Sequence, residues 1–146
     1  MIRPLLLLLP LPLLAAAATP IQPGKWRTTV TVVDMTMPGM PPGVAAMMKR
    51  KPTVVTACVT PADAAAGPRR VIEKSNGECR YTDYRMSAGR IASTMQCKGQ
   101  RGGMTVRSAG TFTPTSFAVN GVATMGAAGG GMTMKTRTIS ERIGGC

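Results

Sequence analysis

The chain has 146 residues, 18 Lys and Arg against 6 Asp and Glu, a formal charge of +12 and no histidine. The missing histidine excludes Ser-His-Asp and Cys-His catalysis, HExxH zinc sites and imidazole acid–base work. The one-sided charge implies nonspecific affinity for anions.

Arg3 opens a leader-like segment. Leu5 to Leu14 form an apolar run interrupted by Pro10 and Pro12, and Ala15 to Ala18 supply small residues for cleavage after Ala18. So short a run, with two prolines, predicts a signal peptide over residues 1–18 rather than a membrane span. It leaves residues 19–146 as one domain without a transmembrane helix. Every Leu lies within residues 5–14, whereas residues 19–146 hold 18 Thr, 11 Val and 5 Ile. β-Branched side chains lose rotamer freedom in helices and pack well on a pleated surface, so the domain reads as mainly β.

The first strand runs from Lys25 to Thr36, with Trp26, Thr28, Val30 and Val32 on one face by period two. Pro38, Gly39, Pro41, Pro42 and Gly43 break it. Val44 to Lys51 reads as two helical turns, stopped by Pro52. A strand over Thr53–Thr60 carries Cys58. Thr60 then caps a short helix over residues 61–66, with Pro61 at its first position and Gly67-Pro68 after it.

From Arg69 the pattern is a meander. An extended segment covers Arg69–Lys74. Strands follow over Cys79–Met86, Arg90–Lys98, Met104–Phe112, Phe117–Met125 and Met132–Arg142, with a glycine connection over Gly126–Gly131. Asn120-Gly121 resembles a hairpin turn, but the turn at Pro114 to Ser116 lies too close, so the dipeptide is expected to be a bulge. The expected architecture is a single antiparallel sheet of about six to eight strands, curved or closed into a barrel, with one or two short helices.

Cys58, Cys79, Cys97 and Cys146 are four cysteines in a chain expected to be exported, which predicts two disulfides. With Ser87-Ala88-Gly89 as a three-residue loop, Met86 faces Arg90 and paired numbers sum to 176. Cys79 and Cys97 satisfy that sum, so they should pair across the hairpin. Cys58 and Cys146 are left to each other, and the competing arrangement, Cys58–Cys79 with Cys97–Cys146, needs a different register or a longer turn.

Gly24-Lys25-Trp26, the Met37 to Pro41 segment, Cys58 with Thr60-Pro61, the central Cys79 and Cys97, and the terminal Gly144 and Cys146 form a pattern. It resembles the bacterial family catalogued as domain of unknown function 3617 over nearly all of residues 22–146. The resemblance implies a small exported, predominantly β protein and brings no catalytic residues.

Among chemical motifs, Gly-x-Ser-x-Gly, Ser-x-x-Lys and a phosphate loop are absent. Asp83 with Glu78 or Glu73 is the nearest set of acids for a carboxylate pair, though partnership with the many cations explains them more simply. Eleven methionines follow Met1. Met35, Met37 and Met40 make an M-x-M-x-x-M run, and Met132-x-Met134 repeats the short spacing. Thioethers prefer Cu(I) or Ag(I), so Met35, Met37 and Met40 are the candidate metal ligands. The simpler alternative is methionine as core filler in a region without Leu. The sequence therefore points to a noncatalytic periplasmic or secreted module for an apolar ligand or an anionic envelope component, not nucleic acid. A soft-metal Cu(I) binder is the alternative, and a hydrolase with an unfamiliar site is a third reading.

Overall fold

The computed structural model describes residues 21–49, 51–67, 77–99, 102–126 and 131–146. The expected leader, the extended segment over 69–74, Arg50 and residues 127–130 of the glycine connection lie outside the described residues.

Among the described residues, seven strands and two short helices follow in chain order: β1 (Gly24–Thr36), α1 (Pro42–Lys49), β2 (Thr53–Val59), α2 (Pro61–Ala66), β3 (Cys79–Ser87), β4 (Arg90–Cys97), β5 (Met104–Thr113), β6 (Ser116–Met125) and β7 (Met132–Gly144). α1 begins two residues before the expected Val44, because Pro42 suits a first helical turn that needs no N–H. α2 has the expected boundaries. Thr60 Oγ1 accepts from the Asp63 N–H at 3.1 Å and Asp63 Oδ2 accepts from the Thr60 N–H at 3.3 Å, a reciprocal cap.

All strands join one sheet in the order β2-β1-β7-β6-β5-β4-β3, and every pairing is antiparallel. The strands β3 to β7 form the expected meander, and β1 docks on β7. The sheet is not closed: β2 and β3 are its two edges. Register shifts at Lys25/Trp26, Val32/Asp34 and Tyr81/Asp83 bend individual strands, but no hydrogen-bonded ladder joins the edges, which a barrel requires.

Two local expectations are corrected. Asn120-Gly121 is neither turn nor bulge, since β6 runs in unbroken register with both β5 and β7. The two-residue turn at Pro114-Thr115 sets that register. Gly121 serves close packing instead, because a Cβ there would meet Thr136 Oγ1 at 2.9 Å. The β3–β4 loop has two residues, not three. Ala88 and Gly89 take φ of 48° and 73°, the paired positive values of a tight hairpin, and Ser87 faces Arg90.

Alternation along the strands sorts the side chains into two faces. The inner face carries Trp26, Phe112 and Phe117, with small polar residues between them. Trp26 and Phe117 stack with ring centroids 5.6 Å apart. They flank β7 on this face, and Ser140 between them is only 1% exposed. The Trp26 indole N–H donates to the Gln22 carbonyl at 3.0 Å. Gln22 in turn donates its N–H to the Pro114 carbonyl at 2.8 Å, so the chain before β1 is pinned against the β5–β6 turn.

Candidate functional site

The outer face collects nearly all the charge carried by the described strands. On the strands, Lys25, Arg27, Arg80, Arg85, Arg90, Arg107, Lys135 and Arg137 alternate away from the inner residues, as do Asp34, Asp83 and Glu141. That makes eight cations against three acids, and the strands' one other charged residue, Arg142, falls on the inner face. Arg142 Nε donates to the Pro23 carbonyl at 2.8 Å. Large apolar side chains are exposed on the outer face as well: Val54, Val122, Ile139 and Ile143 are 39–56% exposed. By register Val122 stands between Arg107 and Lys135.

Asp34 bridges Lys49 of α1 at 3.3 Å and Lys135 of β7 at 3.4 Å. These ammonium groups, Lys49 first, hold its carboxyl below the usual carboxylate range. Asp83 pairs with Arg85 at 3.4 Å. Arg107 and Arg137 make no ion pair among the described residues. Of the acids named as a carboxylate pair, Asp83 is thus engaged on the outer face, Glu78 precedes β3, and Glu73 lies outside the described residues. Among the described residues, no three His, Cys, Asp or Glu side chains gather into a metal-binding group.

The candidate methionines part company. Met35 faces inward and is 7% exposed, while Met37 is 43% exposed beyond the strand end. Met40 is half-buried, its N–H bonded to the Met37 carbonyl at 3.2 Å. The register that sequence spacing could not supply brings other methionines together. Met35 faces Met134, Met132 faces Met125, and Met125 faces Met104.

Cys79 and Cys97 are joined by a disulfide. Cys58 and Cys146 are exposed free thiols in this structure, so one disulfide is present where two were expected. Cys58 sits in β2 and Cys146 lies past the end of β7, with β1 between those two strands. Lys25 of β1 faces both Cys58 and Gly144. The neighbouring Cys58 thiol nevertheless pushes the Cys146 pKa up.

A shallow depression of about 200 Å³ lies at the β5–β6 turn, lined in part by Phe112, Phe117, Ile139 and Glu141. That is smaller than the ~300–1,000 Å³ of small-molecule sites.

Together these features define a class: a single-sheet, two-faced antiparallel β protein with an internal disulfide. Within that class, the chain belongs to the family described as Protein of unknown function (DUF3617), whose model matches residues 21–146. No curated protein and no solved structure matches it. Among the described residues no helix is long and apolar enough to cross a membrane.

The outer-face pattern had a signal in the sequence. In β7, Lys135, Arg137 and Glu141 alternate with Met134, Thr136 and Ser140, and in β1 Lys25 and Arg27 flank Trp26. Read as period-two charge, these segments place the cations on one face. Read as a total, they appear spread along the chain.

Proposed function

We propose that the protein is an exported, noncatalytic module that docks through its outer face on an anionic lipid surface of the cell envelope. The observation that supports this reading is the gathering of eight strand cations and several exposed aliphatic side chains on one side of the sheet. A Lys or Arg near an anionic membrane contributes about 1 kcal/mol. Exposed aliphatics between such cations add contact with the lipid interface. Arg107, Val122 and Arg137 are at the centre of this surface.

Cosedimentation with phosphatidylglycerol-containing vesicles and with pure phosphatidylcholine vesicles tests it. Binding to the anionic vesicles alone, weakened by salt and lost in Arg107→Glu/Arg137→Glu, is the expected result. Equal binding to both vesicle types overturns the proposal.

Export fits the cysteines as well. In an oxidising compartment Cys58 and Cys146 form the second disulfide and tie the C-terminus to the β2 edge.

A further inference from the structure

Seven methionines lie on the described strands, and all seven are on the inner face. Six of them occupy two adjacent cross-strand rows at one end of the sheet. In the first row Met132, Met125 and Met104 stand directly opposite one another on β7, β6 and β5. The row continues through Cys97 to its disulfide partner Cys79. The second row holds Met35, Met134 and Met95. Elsewhere on this face of the described strands the larger apolar and aromatic positions are Trp26, Val30, Val32, Val55, Val59, Tyr84, Ile91, Phe112, Phe117 and Val119, with Met86 the one other methionine.

Core filling alone would scatter methionine over all the rows. Six of the seven strand methionines nevertheless gather at one end, beside Val106 and Ala123, and what they add there that Val and Ala lack is the thioether. Met104, Met125 and Met132 are half-buried, so their sulfurs are neither sealed in nor free in solvent. The Gly126 N–H bonds the Gly103 carbonyl at 3.2 Å, holding the residue after β6 against the residue before β5 beside the row.

We propose that Met104, Met125 and Met132 form a three-thioether site for Cu(I). Directly opposed residues on neighbouring strands have Cβ atoms about 4.5–5.5 Å apart. The unbranched methionine side chain has three rotatable bonds with which to turn its sulfur toward a shared ion. Thioether sulfur is soft and selects Cu(I) over harder cations. The site lies on the face opposite the proposed lipid-docking surface and stands independently of it.

Ag(I) is the redox-inert probe. The protein is titrated with its Cys79–Cys97 disulfide intact and Cys58 and Cys146 alkylated, so that no thiol competes. Binding tighter than about 1 μM is expected. Shifts of the methionine ε-methyl signals in NMR should be largest at Met104, Met125 and Met132. Met104→Leu/Met125→Leu/Met132→Leu removes all three ligands and should weaken binding by more than the roughly 100-fold that loss of a single outer-shell partner can cost. Met35→Leu/Met37→Leu/Met40→Leu should leave it nearly unchanged. Binding weaker than that, methyl shifts centred on other methionines, or affinity retained in the Met104/Met125/Met132 variant overturns the assignment. The methyl shifts are read on the unsubstituted protein, so they decide the matter even if that variant folds poorly.

Discussion

Thr28 Oγ1 and Ser140 Oγ lie 2.7 Å apart, one hydroxyl on β1 and the other on β7. Ser140 also faces Phe117 on β6, and Trp26 stacks on Phe117. A small residue is needed there, because the two rings converge across β7. Its hydroxyl needs a partner, because almost no water reaches it. Ser140→Ala should cost about 1 kcal/mol through the lost hydrogen bond. Ser140→Leu should cost about 1–3 kcal/mol by overpacking. Urea unfolding followed by Trp26 fluorescence measures both, and Trp26 is the chain's one tryptophan. Equal stability of all three proteins would show that the rings do not close over this position.

Removing the β3–β4 bridge should destabilise the meander. The cysteines are 18 residues apart, with Cα atoms at 3.9 Å. Closing a loop of this size is worth about 3 kcal/mol in the chain-entropy model. Cys79→Ser/Cys97→Ser should therefore lower the urea midpoint with β structure retained. A midpoint unchanged from that of the bridged protein would contradict the model.

That bridge also shows how far the sequence could be read. Cys79 opposite Cys97 followed from a loop one residue too long, and the pairing survived because of a second departure. The two-residue loop makes paired numbers sum to 177, and the register shift between Tyr81 and Asp83 restores 176 before Cys79. Thr82 carries no local mark of a bulge, since any residue can occupy such a position. The strands themselves were legible from period-two alternation and β-branched composition. Sheet order was not, because the docking of β1 on β7 joins segments about 110 residues apart, as Thr28 and Ser140 show. The methionine rows depend on that same pairing. Met132 and Met125 are close in sequence, but Met35 meets Met134 only once the sheet order is known.

Acid should loosen the contact between α1 and β1. The Asp34 carboxyl is held below its ordinary value by Lys49 and Lys135. A depressed carboxylate contributes stability that is fully present above its unfolded pKa and is lost as pH falls through the lower folded value. The window therefore lies below about pH 4. NMR titration should place the Asp34 midpoint below 3.8, and Lys49→Met should move it back up. A midpoint unmoved by Lys49→Met would mean that the ion pair does not persist in solution.

The second disulfide is the last expectation and the one most open to direct measurement. Cys58 and Cys146 are both exposed, and the two thiols are close enough for Cys58 to raise the Cys146 pKa. Closing the bond takes two protons and two electrons from the thiols and delivers them to an oxidant such as oxidised glutathione, which leaves as two reduced molecules. Attack requires a thiolate. The neighbouring Cys58 thiol raises the Cys146 pKa, so Cys146 supplies more thiolate, and closure through it is faster, as pH rises. The bridge would span 146 − 58 = 88 residues and stabilise the fold by about 4–5 kcal/mol in the chain-entropy model. Nonreducing peptide mapping of protein recovered from an oxidising compartment should yield Cys58 linked to Cys146 beside Cys79 linked to Cys97. Recovery of both thiols unpaired, or of Cys58 linked to Cys79, would rule out the C-terminal clasp.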